Sequence, residues 1–265
     1  MFGAYEFVFN NIISSRYNLV LLYSDAETGI TTSTGTPEKN YATIGNPRSG
    51  RKTILGVTTD EPLSFPIEIL VSNFDELDNP IPLKRNLVGQ VRQWLFNSMD
   101  YGVLRILQPG MEELYFRAVF NNVEDINYNG DIIGFKANVI CDNTGAYKKS
   151  RYEFNVVDVS RVNVYCENCN IYTVKPVWTI IPKVENAFVV ISNGTEQMSI
   201  DFQSDDPVIV DCENLTVESQ SGFDDYYNVG FNFVFPELKS GMNQLAITGE
   251  AKVICEFENV IDVGG

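Results

Sequence analysis

The chain has 265 residues, 44% hydrophobic and 20% charged, which supplies apolar material for one large or two ordinary domains and excludes wholesale disorder. Nineteen basic residues against 35 acidic leave a formal charge of −16, so the surface repels polyphosphate and is ill suited to reading nucleic acid. There is no histidine, which removes Ser-His-Asp and Cys-His nucleophile activation, His-ligated zinc and imidazole proton shuttling together.

Short runs of period-two alternation, rich in Val, Ile, Phe and Tyr and broken by Asn, Asp and Gly, predict half-buried antiparallel strands along most of the chain. The first are residues 5–9 and 19–23. Residues 25–56 follow, rich in Thr, Gly, Ser and Asn; so long a loop inside a compact domain is uncommon unless functional or paired with something else. It reads as an arm, the plainer alternative being a flexible surface excursion. Near its end, Arg48-Ser49-Gly50-Arg51-Lys52 is the densest positive patch of an acidic chain. It suits salt-bridging to an acidic neighbouring surface and, equally, a solvated basic turn.

After a strand at 67–72 the period changes. From Asn86 as N-cap, apolar Leu87, Val88, Val91, Trp94 and Leu95 recur at helical spacing, with Arg92 and Gln93 opposite. Trp94 and Leu95 are expected to pack onto a sheet, since apolar stripes are usually core. Strands at 102–106, 114–120 and 132–141 complete the first half, the last after the turn Asn129-Gly130-Asp131. Residues 148–158 read as a connection, which divides the chain into domains 1–155 and 156–265. A second series starts at Val162 and continues at 177–181, 187–192, 197–202, 208–211, 215–218, 231–235, 244–248 and 251–257, an even spacing that suggests a sandwich. In it Trp178 is expected to be buried against the opposing sheet, the sharper alternative being an exposed sugar-stacking ring. Pro236 is expected to stop a strand, and Gly241 to supply a positive φ before the next one.

Chemistry is mostly absent. No phosphate-cradling loop, dinucleotide fingerprint or nucleophile elbow is present. Cys166-Glu167-Asn168-Cys169 has the spacing of half a zinc site, but no second pair exists, and Cys141, Cys212 and Cys255 stand alone. Burial or partial oxidation is the better reading, and no metal or cofactor is expected. The acidic groups Asp75-Glu76-Leu77-Asp78, Glu112-Glu113, Glu124-Asp125, Asp205-Asp206 and Asp224-Asp225 sit beside turn residues and read as solvated turns, without EF-hand spacing. Residues 1–10 carry Glu6 and no basic stretch, and no apolar run approaches the roughly 18 residues of a membrane span. A soluble protein of a reducing compartment, without a secretory signal or membrane association, is expected.

In their order these pieces resemble the distal tail proteins of tailed bacteriophages. The likeness spans nearly the whole sequence. In the first half it rests on Asn46-Pro47-Arg48-Ser49-Gly50-Arg51 after the long loop, Pro66-Ile67-Glu68-Ile69, the helix end Arg92-Gln93-Trp94-Leu95, and Cys141-Asp142 with Ala146-Tyr147. In the second half it rests on Pro176-Val177-Trp178-Thr179-Ile180, Ile209-Val210-Asp211-Cys212-Glu213-Asn214, and Phe235-Pro236-Glu237-Leu238-Lys239-Ser240-Gly241-Met242-Asn243. One departure is Asn168-Cys169-Asn170, where the family usually opens its second domain with an Asn-x-Gly type turn.

The resemblance implies a mainly β fold: an N-terminal tail-tube-like domain, a β-sandwich or split barrel with one α-helix, followed by a C-terminal galectin-like β-sandwich. It implies a non-enzymatic virion protein, assembled in the host cytoplasm, that forms a homohexameric ring. That ring joins the tail tube protein to the tail-tip or baseplate hub (a tail-associated lysin or fibre) and also meets the tape measure and receptor-binding proteins. DNA would pass through its lumen without specific binding. The arm would then lie over the next protomer, with Arg48, Arg51, Lys52 and Tyr41 at the ring interface and Trp94, Leu95, Trp178, Pro236 and Gly241 as structural residues. The rival is a lectin-like carbohydrate-binding adhesion module of a phage tail or cell surface, and a third reading, a secreted or surface enzyme, is disfavoured by the missing histidine and signal sequence.

Overall fold

Alternating buried and exposed side chains build almost every element of the computed structural model, which describes residues 4–22, 39–45, 52–59, 62–167, 173–184, 186–222 and 230–263. The chain divides into two compact units, Met1–Tyr147 with Asp262–Gly265, and Lys148–Ile261.

In the first unit the strands are β1 (Ala4–Tyr5), β2 (Phe7–Phe9), β3 (Ile12–Ile13), β4 (Leu19–Leu22), β5 (Lys39–Gly45), β6 (Lys52–Thr59), β7 (Ser64–Val71), β8 (Gly102–Ile106), β9 (Leu114–Tyr128) and β10 (Asp131–Cys141), with helix α1 (Arg85–Phe96) between β7 and β8. The antiparallel order is β1-β4-β7-β10-β9, extended from β9 through β8 and β2 to β3. The inward residues of these strands, among them Phe7, Phe9, Leu19, Leu21, Ile69, Leu104 and Phe135, form one core with Val88, Val91 and Leu95 of the helix. The helix starts earlier than the sequence suggests. Lys84, extended, occupies the cap position without a side-chain bond, and its carbonyl accepts from Leu87 and Val88 N–H. Asn86 lies inside the first turn, where its Oδ1 meets the adjacent Leu87 N–H.

The expected loop at 25–56 holds two strands. β5 and β6 pair antiparallel, with an irregularity at Ala42/Thr43, as a two-stranded sheet of their own. β9 also outruns the sequence reading, because the polar stretch beyond Phe120 continues to pair with β10 as far as Tyr128.

The second unit is a sandwich of two antiparallel sheets. Its strands are β11 (Ala146–Val156), β12 (Val159–Cys166), β13 (Val177–Pro182), β14 (Phe188–Ser192), β15 (Gln197–Asp201), β16 (Val208–Asp211), β17 (Thr216–Ser219), β18 (Gly241–Thr248) and β19 (Ala251–Ile261). One sheet runs β11-β19-β13-β16-β17 and the other β12-β18-β14-β15. Trp178, Ile180, Val210 and Val253 from the first meet Val164, Val189, Ile200, Leu245 and Ile247 from the second in a single buried cluster.

Two corrections concern this unit. The expected connection at 148–158 is mostly strand β11. Its outward positions are Lys149, Arg151, Glu153 and Asn155, and of its inward ones Lys148, Ser150, Tyr152 and Phe154 are only half-buried, so hydrophobic alternation is weak there. Conversely, 231–235 is not a strand. Phe231 makes an isolated bridge to Ile200, after which Phe233 turns to a φ of 57° that a strand cannot hold. The Asn232 carboxamide stands in for backbone at that edge, accepting from Ser199 N–H and donating to the Gln197 carbonyl.

Candidate functional site

Nothing in the described residues forms a reaction centre. No group of three or more His, Cys, Asp or Glu side chains converges there as a metal site would require. The described cysteines, Cys141, Cys166, Cys212 and Cys255, are free and buried. Burial pushes the thiols of Cys141 and Cys212 up to about 12 and that of Cys166 to about 11, and Cys255 rises too. Such thiols are poor nucleophiles at neutral pH. Cys169 and the Asn168-Cys169-Asn170 turn lie outside the described residues. A 410 Å³ depression on β9 and β10 is lined by Asn122, Val123, Glu124, Lys136, Ala137 and Asn138. It marks an irregularity in the pairing of the two strands, and Lys136 there is 3.2 Å from Glu68, so it offers no acid–base pair of its own.

The residues singled out from sequence fall into three places. Trp94 lies on the inner face of α1, stacked on Phe7 at 5.7 Å and beside Tyr17, and its indole N–H donates to the Phe9 carbonyl at 2.9 Å. Leu95 beside it is buried. Trp178 is fully enclosed in the second core, at 0% exposure, which leaves no face for stacking a sugar. Pro236 is buried in the irregular segment before β18. Gly241 opens β18 at φ 91°, with open space where a Cβ would stand, so its part is conformational and it adds nothing to the core. Tyr41 and Lys52 belong to β5 and β6; Arg48 and Arg51 fall outside the described residues.

Sequence reasoning overlooked the side chains that hold the motifs in shape. Asn243 is the staple of the turn before β18. Its Oδ1 accepts from Lys239 N–H at 2.8 Å, while its Nδ2 donates to the carbonyls of Lys239 at 2.7 Å and Gly241 at 3.1 Å. Tyr147 closes the first unit: its hydroxyl donates to Asp142 at 3.0 Å and accepts from Asn143 at 3.2 Å, and the Arg117 guanidinium lies 4.6 Å above its ring. Burial is the main reason its phenol is pushed up. Asp211 caps the turn after β16. Burial raises its carboxyl, but the N–H groups of Asn214 and Glu213 outweigh that and hold it below the usual range.

A further loop, read from sequence as a solvated turn, is built with more care than that. The Asp75 carboxylate accepts from Leu77 N–H and Asn79 N–H, each at 2.8 Å, and from Asn79 Nδ2 at 3.1 Å. The backbone closes over it, Asp75 N–H to Asn79 O and Ile81 N–H to Asn73 O, each at 2.9 Å. Tyr128 at the end of β9 donates its hydroxyl to Asn79 Oδ1 at 2.8 Å. The signal in the sequence was Asp75 set four residues before Asn79 around an unexplained Leu77.

Among the described residues, then, the side chains singled out serve the folding of a mainly β chain in two units. The family described as phage tail protein N-terminal domain matches residues 2–143, and its companion, phage tail C-terminal domain, matches residues 145–257. The chain belongs to this family of phage tail proteins. Its fold is that of the Dit protein: it is similar to the crystal structure of SPP1 Dit (gp 19.1), described as a paradigm of hub adsorption apparatus in phages infecting Gram-positive hosts, with a TM-score of 0.63 at 8% identity over 98% of this chain and 100% of that one. It is also similar to a chain of the phage P2 baseplate in its activated conformation with calcium, with a TM-score of 0.54 at 8% identity over 98% of both chains. No curated protein sequence matches.

Proposed function

We propose that this protein is the distal hub of a phage tail, a closed homohexameric ring that joins the tail tube to the baseplate or tip and leaves a channel for DNA. The observation that carries this reading is the agreement of fold with SPP1 Dit, a hub protein, through both units and nearly from end to end. The first domain, 1–155, forms the ring, and the second, 156–265, is a galectin-like sandwich that projects outward toward tail-tip, fibre or receptor-binding proteins. Its role is structural, without catalysis.

The arm gives the reading its physical mechanism. An isolated two-stranded hairpin is marginal in water, so β5 and β6 gain by lying on another surface. Laid on the next protomer, the arm makes a head-to-tail contact that repeats until it closes, with Tyr41, Arg48, Arg51 and Lys52 at the interface. Electron microscopy and light scattering of the purified full chain test this. Rings of six are expected, and a strict monomer at high concentration that still forms no ring with its tail partners overturns it.

A further inference from the structure

Asparagine stands directly before glycine in two places, Asn129-Gly130 and Asn193-Gly194, and the fold treats them in opposite ways. Such a pair is chemically labile, because the glycine nitrogen can approach the asparagine carboxamide with no side chain in its way.

Asn193 is held at every atom that reaction would use. Its Nδ2 donates to Glu196 Oε2 at 3.1 Å and to the Glu237 carbonyl at 3.0 Å, and its Oδ1 accepts from Thr195 N–H at 2.9 Å and Glu196 N–H at 2.7 Å. The attacking nitrogen is held as well, since Gly194 N–H donates to Ser192 Oγ at 3.2 Å. Asn129 differs in each respect. It forms with Gly130 the two-residue turn between β9 and β10, closed by the Tyr128/Asp131 pair, at φ values of 52° and 90°. Both residues are exposed, whereas Asn193 is half-buried. Among the described residues no hydrogen bond holds the Asn129 carboxamide or the Gly130 N–H, and the space around Gly130 is open.

We infer that Asn129 is a site of spontaneous self-modification, its carboxamide being lost to attack by the Gly130 nitrogen while Asn193 is protected by the fold. The Gly130 nitrogen gives its proton to solvent and bonds to Asn129 Cγ; the Cγ–Nδ2 bond breaks, and Nδ2 takes a proton from solvent and leaves as ammonia. Water then opens the cyclic imide. Cleavage at Cγ yields aspartate, and cleavage at the main-chain carbonyl yields isoaspartate, whose main chain runs through the former side chain. Water is the sole co-reactant, and nothing is oxidised or reduced. Either product places a new negative charge beside Asp131, and isoaspartate also lengthens a turn whose length fixes the register of the strands it joins. The loop at 73–81 is tied to the same hairpin end by the Tyr128 hydroxyl on Asn79. This chemistry is independent of whether rings form.

The unaltered full chain tests it, held at mildly alkaline pH both native and in denaturant, then mapped as peptides by mass spectrometry with isoaspartate scored by an isoaspartyl methyltransferase. In the native chain Asn129 is expected to convert at least roughly tenfold faster than Asn193, whose ring closure must first break several hydrogen bonds. In denaturant, where both sites are released, that difference is expected to vanish. In the isoaspartyl form, hydrogen exchange at Tyr128 and Asp131 is expected to quicken. The inference is overturned by Asn193 converting as fast as Asn129 in the native chain, by Asn129 staying intact while the denatured chain converts, or by a difference that persists in denaturant. Unchanged exchange at Tyr128 and Asp131 overturns the loosening of the hairpin.

Discussion

Trp178 shows how far a single side chain commits the second unit. It pairs in register with Val210 on β16 and Cys255 on β19, and its indole N–H has no partner of normal hydrogen-bond geometry, although it faces the Cys212 sulfur closely enough to lower that thiol slightly against burial. Removing so large an enclosed ring leaves a cavity at the centre of the sandwich, so Trp178→Ala is expected to cost about 3–5 kcal/mol, read from urea unfolding of the full chain. The four buried thiols set a pH limit. Each is neutral in the folded protein and would ionise from its ordinary 9.0 once unfolded, while burial holds Cys166 at about 11 and Cys141 and Cys212 at about 12. Folded values raised above unfolded ones mean that this contribution is whole below pH 9 and is lost as pH rises through the folded values. Unfolding midpoints are therefore expected to fall above pH 9, and native protein at pH 8 to leave these four thiols unreacted with a thiol reagent until denaturant is added. Prompt reaction of any of the four in the native state would contradict this.

Among the elements, β18 depends on the turn that launches it. Gly241 takes a φ of 91°, which an L side chain adopts only with strain of about 1–2 kcal/mol, and Asn243 supplies the bonds that satisfy the turn's backbone. Gly241→Ala is expected to destabilise by about that amount. Asn243→Ala is expected to cost about 1–3 kcal/mol, because it leaves the part-buried backbone groups of Lys239 and Gly241 without the partner that Asn243 supplies. Hydrogen exchange should localise both losses to β18 and its neighbour β12; an unchanged pattern would show the turn to be indifferent to its sequence. Elements with strong alternation, such as 102–106 and 208–211, were legible to the residue, since each second side chain is apolar and buried. β11 was not, because its outward face is charged, with Arg151 bonded to Glu256 and Lys252 to Glu153 across the sheet, and the middle of its inward face is only half-buried. The hairpin β5–β6 was hidden for a related reason, being rich in Thr, Asn and Gly.

At the scale of the whole molecule the surplus of acid bears on the proposed ring. In the proposed ring a charge of −16 on each protomer would oppose closure at long range, whereas basic residues of the arm would attract an acidic neighbour at contact distance. At physiological ionic strength screening acts beyond about 8 Å, so it weakens the long-range repulsion more than the contact pairs. Raising salt from low to moderate is expected to tighten the ring, measured as a fall in the protein concentration at which it forms. In the proposed ring the same charge would keep duplex DNA off the channel wall. Neutralising phosphates with Lys or Arg releases counterions and produces salt-sensitive binding, and an acidic wall has no such means. A gel-shift titration is expected to show no complex; salt-sensitive binding would place basic residues on the wall and refute the acidic lumen.

The sequence by itself determined the class of fold, the location of one amphipathic helix, the two β-rich halves and the lack of histidine chemistry, because periodicity and composition act locally and survive without neighbours. Tertiary structure alone decided which polar residues were structural. Asn243, Tyr147 and Asp75 look like ordinary surface residues in the chain, yet each satisfies several partners that only folding brings within reach. It also decided that 39–45 and 52–59 pair as strands and that 231–235 does not. Strand pairing is a long-range choice, settled by backbone hydrogen bonds and by what each face packs against, and neither is written in the residues of one segment.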